Sequence, residues 1–119
     1  MTPAPPNQPS HASDRAAAMA FLEKLRGTYD VAQAIMFGSR ARGDHRADSD
    51  LDLAIILNGG RGDFLDVKLD MAGIAFDVLL ETGVLVQAFP MWDSDLAHPE
   101  LFANPALIDH IARDGIKLR

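Results

Sequence analysis

The chain contains no cysteine. That absence excludes disulfide scaffolds, thiol catalysis, zinc–thiolate sites and iron–sulfur clusters. No apolar run approaches the length of a membrane span, and the start has no basic region followed by a hydrophobic stretch. Basic residues are scarce as well: 11 Lys and Arg stand against 17 Asp and Glu, for a formal charge of -6. A general nucleic-acid binder draws its affinity from many cations on phosphates, so direct DNA binding is not expected. What remains is 119 residues, 48% hydrophobic and 24% charged. That is enough for one domain with a real core and too little for two. A soluble cytoplasmic domain is the expectation.

Residues 1–12 begin with a stretch holding four of the seven prolines and nothing large to bury, and read as a disordered tail. The domain is expected over 13–119. Ser13 offers a cap with Asp14 in the first turn, and Ala18, Phe21, Leu22 and Leu25 recur at helical spacing up to Gly27. Val31 to Phe37 and Leu51 to Leu57 are short apolar runs that suit strands covered on both faces. From Asp63 to Thr82, Asp66, Asp70, Gly73, Asp77 and Glu81 fall on one face of a helix. Phe64, Val67, Met71, Ile74, Ala75 and Val78 fall on another, with Lys68 as the exception. Gly83 closes this helix. Val84 to Phe89 reads as a third strand ended by Pro90, and Met91 to Ala103 as loop with some turn. Asn104-Pro105 opens a short helix that stops at Asp114-Gly115, before a small strand at Ile116 to Leu118. The fold class is α/β (α+β): a small mixed sheet of three to four strands flanked by helices.

Chemistry concentrates between the first two strands. Gly38-Ser39 ends one, ten residues follow, and Asp50-Leu51-Asp52 opens the next. Gly38 lets backbone approach a phosphate, and Ser39 adds a hydroxyl. Asp50 and Asp52 are two apart on a strand, so their carboxylates project from one face. Carboxylates beside substrate phosphates are how proteins hold Mg²⁺. Arginines in the connection, Arg42 among them, suit leaving-group charge. If both strand ends meet one nucleotide, the strands are antiparallel neighbours. A D-x-D alone is often a polar rim. The joint pattern arises by chance in roughly one such sequence in a few hundred. A calcium loop starting at Asp48 fails, because Leu53 and Gly59 stand where glycine and glutamate are needed. His11, His45, His98 and His110 have no ligand spacing, and the two Arg-Gly-Asp tripeptides read as coincidence.

The segment GSRARGDHRADSDLDL resembles the nucleotidyltransferase signature of the DNA polymerase β superfamily. The size and the ending NPALIDHIARDGIKL resemble the minimal nucleotidyltransferase (MNT) domains. These are antitoxins encoded beside ribonuclease toxins of the HEPN (higher eukaryotes and prokaryotes nucleotide-binding) class. The resemblance implies a polymerase-β-like fold, ATP as substrate, and transfer of AMP onto a toxin hydroxyl with Mg²⁺. It implies Asp50 and Asp52 as catalytic metal ligands, with Gly38, Ser39, Arg42 and Ser49 on the nucleotide. Many active relatives carry a third carboxylate on the following strand. Here that strand offers Gln87, whose amide cannot act as a base. Asp77 fills the role only if its segment is a strand. The alternative is therefore a nucleotide-binding module that neutralises a toxin by steric contact. Transfer to a small molecule is a third reading, disfavoured because such enzymes carry additional substrate-binding structure.

For the partner surface, Phe89, Pro90, Met91 and Trp92 form an apolar cluster beside Asp93 and Asp95. They are expected either on their own sheet or as an interface anchored by Trp92. The acidic row from Asp66 to Glu81 reads as a solvated helix side that suits a basic partner.

Overall fold

The computed structural model describes residues 7–38, 41, 50–59, 62–98 and 104–118. Helix α1 spans Asn7–Leu25, followed by strands β1 (Val31–Phe37) and β2 (Leu51–Leu57). The long helix α2 (Phe64–Thr82) leads to β3 (Val86–Trp92), the short α3 (Asp93–Ala97), α4 (Pro105–Asp114) and β4 (Ile116–Lys117). The four strands form one mixed sheet in the order β3-β2-β1-β4. β1 runs antiparallel to both β2 and β4, while β2 and β3 are parallel and joined across α2.

β2 lies at the centre because it is apolar on both faces. Leu51, Leu53, Ile55 and Leu57 pack toward Phe21 and Leu25 of α1 and Met71, Ala75 and Val78 of α2. Ala54 and Ile56 pack on the other face with Phe37, Met91 and Ile111 of α4. Each fully buried large aliphatic contributes about 1.5–3 kcal/mol. Asp52 alone in β2 escapes full burial.

Helix α2 is set by its ends. The Asp63 carboxylate accepts from the Asp66 amide at 3.1 Å, and Gly83 adopts φ 79 with its amide donating to the Leu79 carbonyl. Only glycine takes that left-handed conformation at little cost. α4 likewise starts with proline at its first position, where no amide hydrogen is needed.

Three expectations shift. α1 begins at Asn7, ahead of the Ser13 start. Pro9 falls within the first turn, where an amide hydrogen has no helical partner to lose. Asp14 consequently sits deeper in the helix and is fully buried. β3 runs through Pro90, which pairs with Ile55, instead of ending before it. β3 is an edge of the sheet, and an edge strand tolerates a residue with no amide hydrogen. Met91 and Trp92, expected in a loop, are therefore strand residues and buried, Trp92 being only 4% exposed. The proposed Trp92 anchor is part of this protein's own core and not an exposed interface. Beyond it, the Asp95 carboxylate accepts from the Trp92 amide at 2.9 Å and secures the turn into α3.

Candidate functional site

β1 ends where β2 and β3 begin, so three strand ends meet on one side of the sheet. Gly38 follows β1 directly with φ 79, a left-handed conformation that favours glycine. Its second role is spatial. A Cβ at this position would stand 2.5 Å from Oδ2 of Asp52 and 3.4 Å from its Cγ. The Gly38 backbone thus lies against the Asp52 carboxylate, and only a residue without a side chain permits it.

Asp52 faces Phe37 across the antiparallel pair and Gln87 across the parallel pair. Residues in register share a sheet face, so Phe37, Asp52 and Gln87 form one row across three strands. The Phe37 and Phe89 rings close the apolar side of this row, their centroids 5.4 Å apart. Gln87 therefore stands beside Asp52 as the following strand's contribution to that face, and its side chain is exposed.

Asp50 is half-buried at the entrance to β2, where the Leu51 amide donates to the Leu85 carbonyl at 2.8 Å. It lines a cavity of about 280 Å³ together with Gln87, Lys68 and the apolar Ala75, Leu85 and Ala88. Gln87 is in register with Asp52 and shares the cavity with Asp50, while Asp52 is not among the described lining residues. Among the described residues of the lining, Lys68 brings the one cationic side chain. Its ammonium lies 5.8 Å from the Phe64 ring centre and 5.5 Å from that of Phe89. Sequence reasoning did not include Lys68 in the site. The available signal was its place as the charged exception among apolar positions of α2.

Asp77 does not join this group. It is exposed on α2, is not among the described residues that line the cavity, and its charge acts on Lys24 of α1. Lys24 pairs with Glu81 at 2.7 Å, and this pairing raises the lysine pKa. Ser39, Arg42 and Ser49 lie outside the described residues.

Among the described residues, no group of three His, Cys, Asp or Glu side chains is placed to hold a metal. Two carboxylates nevertheless match the donor set of Mg²⁺, which takes one or two carboxylates and completes its shell with water and substrate phosphate.

The sheet order and its flanking helices are those of a nucleotidyltransferase fold. The chain belongs to the nucleotidyltransferase domain family, which matches residues 18–96 and so contains the segment from Gly38 to Asp52 that carries the sequence resemblance. Among solved structures, it is similar to a Sulfolobus solfataricus protein assigned as a nucleotidyltransferase. The TM-score is 0.62 at 18% identity, covering 98% of this chain and 89% of that one. It is also similar to a chain of a toxin–antitoxin structure with AMP-PNP. There the TM-score is 0.59 at 14% identity, covering 88% of this chain and 72% of that one. No curated protein matches the chain. No helix among the described residues is long and apolar enough to cross a membrane.

Proposed function

We propose that this domain transfers AMP from ATP to a hydroxyl of a partner protein, and that the partner is a toxin of the HEPN class. The observation that carries the reading is the convergence at one end of the sheet. Gly38 lies against Asp52, Gln87 lies in register beside Asp52, and Asp50, Gln87 and Lys68 share a cavity. Membership in the nucleotidyltransferase family supports the reaction class. Similarity to the toxin–antitoxin structure with AMP-PNP supports the nucleotide and the kind of partner.

In the reaction, the acceptor oxygen bonds to the α-phosphorus. The bond between that phosphorus and the oxygen leading to the β-phosphate breaks, and pyrophosphate leaves. Asp50 and Asp52 would hold Mg²⁺, which when bound neutralises phosphate charge and favours the ionised acceptor hydroxyl. Gly38 keeps the phosphate side of the Asp52 carboxylate free of any side chain. Lys68 balances phosphate charge from the cavity wall, its ammonium 5.8 and 5.5 Å from two phenylalanine ring centres. Ser39, Arg42 and Ser49 complete the phosphate contacts in this reading. At about 280 Å³ the cavity is near the lower limit for small-molecule sites and matches part of a nucleotide.

Gln87 favours a second reading. An amide accepts no proton, so the acceptor proton passes to solvent and turnover is slow. In the extreme, nucleotide binding persists without transfer and the domain neutralises its toxin by contact alone. One experiment with two measurements separates these cases. Mg²⁺-dependent binding of ATP and transfer of α-phosphate label to the co-produced toxin are compared in wild type and in Asp50→Asn/Asp52→Asn. Binding and label transfer that both vanish in the double variant support the enzyme. Binding without label in the wild type selects the steric module. Unchanged binding and labelling in the variant refute both.

A further inference from the structure

Helix α2 has three faces where the sequence pattern suggested two. Met71, Ala75 and Val78 are buried against the sheet. Asp66, Asp70, Asp77 and Glu81 form an acidic row beside them. The remaining sector carries Leu65, Leu69, Phe76 and Leu80, which are 55–72% exposed. Their offsets of 4, 11 and 15 residues hold them on one stripe, about 22 Å long at 1.5 Å per residue. Ala72 continues the stripe between Leu69 and Phe76 and is exposed too. Isolated exposed leucines are ordinary, whereas a contiguous row of large apolar side chains marks an interaction surface.

We infer that this stripe docks an amphipathic helix of a partner protein, one whose apolar face is flanked by Lys and Arg. The charge beside the stripe selects this occupant. The acidic row lies along one flank, and among the described residues Lys24 of α1 pairs directly with Glu81 alone. Asp70 accepts a hydrogen bond from the Tyr29 hydroxyl, a neutral partner that leaves its charge in place. The opposite flank offers Lys68 alone. A second copy of this chain complements the surface poorly. In an antiparallel pair, two-fold symmetry sets acidic row against acidic row. In a parallel pair, it sets four carboxylates toward one lysine. A basic flank on a different protein satisfies the row without repulsion, as in helix recognition through residues spaced three and four apart. The inference rests on the partner half of the proposed function and is independent of nucleotide transfer.

The test uses the full chain without nucleotide and two synthetic helical peptides of about 18 residues. Both carry leucine at spacings of three and four, one with lysine and its twin with glutamate along one flank. Binding is followed by fluorescence anisotropy at low and high salt, in wild type and in Leu69→Ser/Phe76→Ser. Circular dichroism and ATP binding report that the variant remains folded. The lysine peptide is expected to bind at least tenfold more tightly than its twin. That preference should shrink with salt, and the variant should lose at least tenfold in affinity. Failure of the lysine peptide to bind, equal binding of the twins, or undiminished binding by the folded variant overturns the proposal. So does sedimentation showing a wild-type dimer that the variant converts to monomer, since the occupant is then a second copy. Loss of label transfer in the Asp50 and Asp52 variants leaves this result untouched, so the two readings fail separately.

Discussion

Replacing Gly38 by alanine tests how closely the strand end is built around Asp52. Two costs are expected. The left-handed backbone, φ 79, costs about 1–2 kcal/mol for a residue with a side chain. The new Cβ would also meet the Asp52 oxygen at 2.5 Å, about 0.9 Å inside ordinary van der Waals contact. Turning the carboxylate away from its rotamer adds about 0.5–1.5 kcal/mol. The total is about 1.5–3.5 kcal/mol. Gly27 supplies the control, because it too has a positive φ, 86, but nothing within 4 Å of its position. Gly27→Ala should therefore lose only the backbone cost. Urea unfolding of both variants isolates the contact as the difference between them. Because a displacement of about 1 Å at a reacting group costs on the order of 100-fold in rate, Gly38→Ala should also lose transfer while Gly27→Ala keeps it. Equal destabilisation by both alanines, with wild-type transfer in Gly38→Ala, would refute the close approach as a functional constraint.

Gln87→Asp places a carboxylate beside Asp52, in the register of β2 and β3. It should raise the rate of label transfer at least about tenfold, since a positioned base contributes about 10²–10⁴-fold. An unchanged rate measured under single turnover removes position 87 from the reaction. Trp92→Ala opens a hole in the core and should cost about 3–5 kcal/mol in urea unfolding. A loss under 1 kcal/mol would contradict its burial. The Tyr29 hydroxyl has its pKa pushed from 10.0 to about 12, first by burial and then by its hydrogen bond to Asp70. A raised folded pKa gives stability that is present in full below pH 10 and lost as pH rises from 10 toward 12. Tyr29→Phe should flatten that alkaline loss, and a pH–stability profile identical to wild type would exclude the contact.

Much of this architecture is readable from local pattern. β1 and β2 are largely apolar runs because both faces of the sheet are covered, and helix α2 announces its ends through Asp63 and Gly83. Antiparallel β1 and β2 follow from the need to bring Gly38 and Asp50 together. What local pattern cannot supply is position within the sheet. Pro90 ends a strand that has neighbours on both sides but passes through an edge strand, so the burial of Trp92 depended on sheet order. The outer stripe of α2 was present in the sequence as four large residues belonging to neither the apolar nor the acidic face. Its significance emerged only with its exposure in the folded chain. At the candidate site, Gly38, Asp50 and Asp52 stand out in the sequence by their spacing. The partnership of Gln87 with Asp52 required the parallel register, and the inclusion of Lys68 required the packing of α2 against β3.

In the proposed function, the Asp50 and Asp52 pair makes this strand end a site of nucleotidyl transfer. The rate at which α-phosphate label passes from ATP to the proposed toxin partner, with Mg²⁺ present, tests this. Wild type is compared with Asp50→Asn/Asp52→Asn at matched thermal stability. Labelling of the toxin by wild type, reduced at least about 100-fold in the double variant, is the result predicted. Labelling at the same rate by both proteins would contradict it.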